Sequence, residues 1–362
     1  MTNQSPYFAD HTIIKRVDTP WGDRCVEASY DGFDARLDGY KCVIVLDTVR
    51  PYADLDWDTS NYRLTTMIVR FPRCILSEMN THRVFSRNSA SSRARSLKTT
   101  IKQVLEDPYI PLFTENAKGM GGAYITDADQ LRMAKKEWLI ARDSAVDMAT
   151  WMLLGAGVTC SDDVKERIDI YYDKYYGKSR EEWDVVIPNV HKQTVNRLLE
   201  PFMWHEMLIT SSFWENFFRL RMDEAAQPEI QAIATLMYEA MNASLPGLFP
   251  EHIPFVKREH HTSLRALLHD LKQSAAECAR ISYVDRSTAA NKDGAEALAM
   301  RLLSKGHMSP FEHQAIEPDI YRRLSPGGEF ALATVGLNGN LDPCWVQARH
   351  IFEHQMGEES HV

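Results

Sequence analysis

With 362 residues, 44% of them hydrophobic and 25% charged, the chain has the composition of a folded globular protein, which excludes a disordered tail or a fibrous repeat. That length can bury a sizeable core, and one elaborated domain over residues 1–362 is the expectation. A formal net charge of -9 argues against a general nucleic-acid binder.

Cys25, Cys42, Cys74, Cys160, Cys278 and Cys344 form no CxxC pair, so neither a zinc site nor a disulfide framework is signalled. No metal is expected, and a reducing cytoplasmic setting fits. No basic segment followed by an apolar run opens the sequence, and the longest apolar stretch, near 149–158, is too short to span a bilayer. Export and membrane insertion are therefore not expected.

In chain order, β-branched and aromatic residues concentrate at Tyr40–Val49 and Tyr62–Phe71, which reads as two strands, the second ending at Pro72. Ile75, Leu76, Met79 and Val84 then recur at helical spacing, placing the following polar stretch where a helix gives way to a loop. Asp127–Leu154 predicts a helix with a stripe of Leu131, Ala134, Trp138, Ala141, Ala145, Met148 and Met152, ended by Gly155 and Gly157. The tyrosine-rich segment 161–189 reads as a helical insertion. His191–Glu200 is an amphipathic turn closed by Pro201, and Met207–Ser212 is extended. A helical pattern runs from Phe213 to Ser244, where Pro228 marks a kink or a second start. After the proline-rich connector Pro246–Lys257, helices are predicted at Ser263–Ile281 and Asp293–Lys305. The loop Gly306–His313, a turn at Ser325–Gly328 and a polar cluster at Trp345–His350 complete the pattern.

Three clusters carry chemistry. From Asn80 to Leu105 no Asp or Glu occurs, while Arg83, Arg87, Arg93, Arg95, Lys98 and Lys102 all fall there. Such local inversion of sign in an acidic chain reads as an anion cradle, with Ser91 and Ser92 as donors beside guanidiniums able to bind phosphate bidentately. The second cluster places Asn216, Arg221 and Gln227 in a largely apolar helix. Arg221 there is either a preplaced cation for a developing negative charge on a heterocycle, or a structural partner of Asp223 or Glu224, and the pattern leaves both open. The third, His307-Met-Ser-Pro-Phe-Glu-His313, does not stack its histidines on one helical face, because Pro310 intervenes, so it offers His307 and Ser309 to a ligand rather than to a metal.

With those residues in hand, the chain resembles the flavin-dependent thymidylate synthases. Their R-H-R-x-x-S-x-N-E-x-S-x-R signature is met in register by Thr81-His82-Arg83, Ser86, Asn88, Ser91 and Arg93. Asn216, Arg221 and Ala226-Gln227-Pro-Glu-Ile230 are similar to the later helical pattern, Arg197 to the arginine before a proline, and Cys278–Tyr283 and Gly306–His313 to two further motifs. In the family the last two come first, so the order resembles a circular permutation of the kind associated with bacteriophage members, with 258–362 as the permuted segment completing the flavin site.

The resemblance implies an α+β fold with a central, mostly antiparallel sheet and long helices. It also implies a homotetramer with shared sites in the cytoplasm, or in the host cytoplasm for a phage protein. The implied reaction is reductive C5 methylation of dUMP, a pyrimidine deoxynucleoside monophosphate, with methylenetetrahydrofolate as carbon donor, FAD as carrier and NADPH as reductant. His82, Arg83, Asn216, His307 and Ser309 would then contact FAD. Ser91, Arg93 and Arg197 would hold the nucleotide, and Arg221, with Ser91, would carry catalysis. Thr81, Glu78, Ser89 and Ala225 depart from the family pattern. Those departures leave open a hydroxymethylase or a cytosine-nucleotide enzyme, and a nucleic-acid-binding protein stands as the reading from another class. Gln347, Arg349 and His350 either replace missing family residues or form a surface amphipathic tail.

Overall fold

The computed structural model describes residues 6–19, 24–50, 63–90, 95–118, 122–153, 189–257, 261–281, 294–324, 341 and 345–359, with isolated positions between 162 and 177. The predicted insertion at 161–189, apart from those positions, lies outside the described residues. So do Ser91 and Arg93, Ser282 and Tyr283, Gly155 and Gly157, and the turn at 325–328. The chain divides into two compact units, one of Met1–Phe71, Ile75–Ala90 and His205–Val362, the other of Pro72–Cys74 and Ser91–Trp204.

The first unit opens with α1 (Pro6–Ala9), β1 (Thr12–Asp18), β2 (Arg24–Tyr30), β3 (Lys41–Val49) and β4 (Arg63–Pro72). A single 3-10 turn leads to α2 (Leu76–Thr81) and β5 (Ser86–Ser89). The second unit holds α3 (Leu97–Glu106), α4 (Ala128–Trp151) and α5 (Lys192–Val195), which runs into the 3-10 stretch Asn196–Phe202. Next come β6 (Trp204–Ser211), α6 (Glu215–Arg221), α7 (Pro228–Ala243), β7 (Gly247–Leu248), β8 (Glu251–His252), α8 (Leu264–Arg280) and α9 (Ala295–Ser304). The 3-10 turn Ser309–Glu312, β9 (Ala315–Ile316), α10 (Pro318–Leu324), β10 (Val346–Gln347) and α11 (Ala348–Glu359) follow.

The main sheet runs β1-β2-β3-β4-β6-β5, with β7 added in parallel to β3. The pairs β1/β2, β2/β3, β3/β4 and β5/β6 are antiparallel, so the fold is α+β with a mostly antiparallel sheet. β3 and β4 are almost continuously buried, as their runs of Val, Ile, Leu and Thr require of central strands. α7 covers β2 and β3, and the Tyr30 hydroxyl donates to the Ala232 carbonyl at 2.8 Å across that contact. It is buried on every side from Glu229 to Met237, the polar Glu229, Gln231 and Thr235 included, which explains why helical periodicity alone did not set its start. Pro228 does: it sits in the first turn, where a missing N–H costs nothing, and it separates α6 from α7.

A second, antiparallel sheet, β10-β9-β8, packs with α8, α9 and α11 around Leu267, Leu271, Phe311, Ile316, Val346 and Phe352. Its strands lie partly within the stretch read as a bare connector, Pro246–Lys257. Trp345, Val346 and Gln347 are fully buried, which overturns the surface-tail reading of that cluster. In the second unit, Leu97, Val104, Val146, Ala149, Leu199 and Phe202 form the core. Asp127 caps α4 by accepting from the Gln130 N–H at 2.8 Å, at the predicted start. Burial in α4 is concentrated near its C-terminal end, at Val146, Ala149 and Trp151, whereas Ala141 of the predicted stripe is exposed. Pro201 lies inside the 3-10 stretch instead of closing a helix.

His261 is clamped between two carboxylates: its Nδ1 is 2.6 Å from Glu251 of β8 and its Nε2 3.0 Å from Asp270 of α8. The Glu251 hydrogen bond, against the opposing pull of burial and with help from Asp270, raises its pKa above the ordinary histidine value. The cation therefore stabilises the fold fully below about pH 6.5, and that contribution is lost as pH rises through the raised folded value. His261→Gln should lower stability by about 1–3 kcal/mol near pH 6. Denaturant titrations of both proteins should show the gap narrowing at alkaline pH; a gap independent of pH would contradict the charged clamp.

Candidate functional site

β5 is built from four polar residues, Ser-Arg-Asn-Ser, and lies antiparallel to β6, with Ser86 opposite Thr210 and Asn88 opposite Leu208. The basic motif thus passes through a sheet edge, not the loop that the helical spacing implied. Alternation puts Ser86 and Asn88 on the buried face and leaves Arg87 half-buried on the other. The connection from α2 is tight: the Phe85 N–H donates to the His82 carbonyl at 3.2 Å, and the Ser211 hydroxyl to the Val84 carbonyl at 3.0 Å.

Arg221, the last residue of α6, reaches back to this connection. Its Nε donates to His82 Nε2 at 2.8 Å, its Nη2 to the Thr81 hydroxyl at 3.0 Å, and its Nη1 lies 3.5 Å from Glu78 Oε2. The ion-pair partners read from the sequence, Asp223 and Glu224, are not used. Asp223 instead accepts from the Ala225 N–H at 2.9 Å and shapes the turn before α7. Around the pair, the His82 ring sits 4.9 Å from Phe217 edge-on and 5.7 Å from Phe85, and Phe85 packs on Trp214 at 4.8 Å.

Burial, then the charge of Arg221, then that of Arg87, push the His82 pKa down to about 4. His82 is neutral near pH 7, and since Nε2 accepts from Arg221, its proton resides on Nδ1. A neutral imidazole thus sits in the field of two guanidiniums. Arg87 donates to the Asn80 side-chain oxygen at 3.1 Å and weakly to the Met79 carbonyl at 3.4 Å.

The late histidine loop approaches β5 through its own local design. α9 ends in a Schellman motif: the Gly306 N–H donates to the Leu303 carbonyl at 2.9 Å and the His307 N–H to the Leu302 carbonyl at 2.9 Å. Gly306 has φ +67°, which any side chain would strain. His307 and Ser309 emerge exposed, and the turn Ser309–Glu312 packs against β5, α8 and α11. The Gln347 amide donates to the Glu312 carbonyl at 2.8 Å and to the Ser86 hydroxyl at 3.3 Å, while Arg349 Nη1 binds Glu312 Oε1 at 2.6 Å.

Beneath the loop, a buried polar thread crosses the sheet. Thr48, His252, Thr66, Thr210 and His313 are joined by hydrogen bonds of 2.9, 2.8, 2.6 and 2.8 Å. Burial pushes the His313 pKa down to about 3, and its Nε2 has no partner among the described residues. Asn88 Nδ2 and Gln347 Oε1 are likewise buried without one there.

The structure brings together His82 and Arg221 and places Arg83 exposed on the same connection. Gln347 and Arg349 lie beside the basic strand, which settles their position though not their role. Asn216 is exposed and accepts from Arg219 at 2.7 Å. His350 is half-buried, its Nε2 without a partner among the described residues. Arg197 is exposed on the 3-10 stretch of the second unit. Glu78, Arg87 and Glu312 were not singled out as site residues; Arg87 was legible only as one of several basic residues of its motif, and Glu78 and Glu312 as single carboxylates beside theirs.

A histidine with a depressed folded pKa weakens the fold as pH falls below about 6.5, because the unfolded chain binds the proton first. For His82 that window closes near pH 4, where the folded form also titrates. His82→Gln should flatten the acid limb of a stability-against-pH curve, by at most about 1.4 kcal/mol per pH unit for one proton. An unchanged limb would mean that His82 binds its proton equally well in the folded and the unfolded chain.

No curated protein matches the chain. Among solved structures it is similar to a UMP/dUMP methylase, PolB from Streptomyces cacaoi, determined bound with 5-Br UMP, at 15% identity and a TM-score of 0.33 over 56% of this chain and 88% of that one. At that score the likeness carries no argument. Residues 61–247, a little over half of the chain and spanning the basic strand, β6 and Arg221, match the family described as thymidylate synthase complementing protein, and to that family the chain belongs.

Proposed function

We propose that the chain is a flavin-dependent pyrimidine-nucleotide C5 methylase that converts dUMP to dTMP with methylenetetrahydrofolate as carbon donor and NADPH as reductant. The observation that carries this is Arg221: a guanidinium anchored by a hydroxyl and by a neutral imidazole that is itself packed against aromatic rings. A cation so placed favours the ionised form of a uracil ring, which makes C5 nucleophilic. Cysteine chemistry is not needed, and burial pushes the Cys42 and Cys278 thiols far above their ordinary range, holding them protonated.

The residues fit a flavin. Asn88 and Gln347 offer a buried donor and a buried acceptor with no partner among the described residues, the kind of pair that the polar edge of an isoalloxazine satisfies. His82, Arg83, Asn216, His307 and Ser309 would hold FAD, which when bound supplies the transfer of the carbon unit and the reducing equivalents. His82, neutral with its proton on Nδ1, fixes the Arg221 fork and donates from the other ring nitrogen. Ser91, Arg93 and Arg197 would hold the nucleotide, and Ser91 would share the catalytic role with Arg221. The docking of 306–313 and 345–349 on β5 supports a permuted order in which 258–362 completes the site. A homotetramer with shared sites, in the cytoplasm, belongs to the same reading.

Glu78 favours a second reading, a cytosine-directed or hydroxymethylating variant, because a carboxylate beside Arg221 accepts from a 4-amino group but not from a carbonyl. Purified protein should be yellow and, reduced anaerobically with folate and nucleotide, should yield dTMP. Arg221→Ala should lower the rate roughly 100-fold or more while keeping its flavin. Protein that stays colourless after reconstitution with FAD would refute the flavin assignment; the product mass, with dUMP and dCMP assayed side by side, separates the two readings.

A further inference from the structure

We infer that Arg87 is an anion-binding residue, taking a phosphate group of the nucleotide or of the dinucleotide cofactor, and that Arg349 is the positioning residue that keeps Arg87 available by holding Glu312. The inference rests on the reading above for the identity of the ligand, but not for the existence of the anion site.

Arg87 projects from β5 with its guanidinium half-buried, and its hydrogen-bond partners among the described residues are both neutral, the Asn80 side-chain oxygen and the Met79 carbonyl. Neutral acceptors orient a guanidinium without cancelling its charge, and partial burial removes part of the water that would otherwise do so. Burial accordingly lowers the Arg87 pKa, with the Glu312 carboxylate the one group opposing that effect. Glu312 is thus close enough to be felt, yet it is not hydrogen-bonded to Arg87.

The reason is on α11. Arg349 Nη1 binds Glu312 Oε1 at 2.6 Å, and its Nε binds Glu353 at 2.8 Å, one turn further along. The Gln347 amide meanwhile pins the Glu312 backbone through its carbonyl at 2.8 Å. Held from both ends, Glu312 is committed to α11. The fork of Arg87 retains its Nε and Nη2 donors for an oxyanion, in the planar geometry that phosphate oxygens fit. The charges of Arg87 and Arg221 both act on His82, so the positive potential of the two arginines overlaps at that neutral ring.

The test compares ligands with and without phosphate, by calorimetry on the full chain: dUMP against deoxyuridine, FAD against riboflavin, which lacks the whole ADP moiety, and pyrophosphate alone. Arg87→Gln should weaken the phosphorylated member of one pair about 10-fold or more and leave its partner unchanged, and the pair affected identifies the source of the phosphate. Arg87→Lys should recover part of that affinity, showing that charge and not folding is at issue. Arg349→Gln should produce the same loss by releasing Glu312 onto Arg87, and the double variant Arg349→Gln/Glu312→Gln should restore binding. Pyrophosphate bound by the wild type and lost in Arg87→Gln would support the anion site even if neither dUMP nor FAD bound, which would sink the methylase reading instead. Equal affinities of wild type and Arg87→Gln for all five ligands, or no rescue in the double variant, would overturn the inference.

Discussion

A hydrogen bond from a guanidinium to an uncharged imidazole is the constraint on which the site depends. Arg221 Nε can donate to His82 Nε2 only while that nitrogen keeps its lone pair, and protonation would replace the bond with two cations in contact. Burial under Phe217 and Phe85 and the field of two arginines make the protonated form costly, so the aromatic packing and the charge arrangement enforce one tautomer together. Each element nearby follows from that need. α2 must end at Thr81 so that His82 turns inward, α6 must end at Arg221 so that the guanidinium crosses over it, and β5 must begin soon after Phe85.

How much of this the sequence reveals depends on whether the deciding interaction is local. β3 and β4 are legible because β-branched residues fit buried strands on their own account, and α8 and α9 because their periodicity and caps lie within each segment. β5 is not legible: Ser-Arg-Asn-Ser has no strand propensity, and it extends only because β6 supplies the ladder from more than a hundred residues away. The partner of Arg221 was hidden for the same reason. Helical spacing points to Asp223 and Glu224, but the side chain turns toward Glu78, 143 positions earlier, because Asp223 is needed to close the turn before Pro228.

The polar cluster around Gln347 shows the opposite failure. Read alone, Trp-Val-Gln-Ala-Arg-His permits a surface helix, since its charges and amides are those of a solvated face. In the fold Trp345 and Gln347 are fully buried, and the amide spans Ser86 and the Glu312 carbonyl. A buried amide is tolerated where its donors and acceptors are met, and Gln347 meets one side of that balance while its oxygen has no partner among the described residues.

The thread from Thr48 to His313 adds a mechanical reason for the arrangement. Each of its hydroxyls has one proton to give, so the direction of every bond along the line is tied to that of its neighbours and to the tautomers of His252 and His313. Because Thr210 sits opposite Ser86 in the β5/β6 register, the same residue pair anchors both the thread and the Gln347 clasp. The histidine loop and the C-terminal helix are therefore fixed to the basic strand by side chains rather than by chain continuity. Motifs joined in that way can occur in any order along the sequence, since what the fold conserves is their meeting through space and not the loops that connect them.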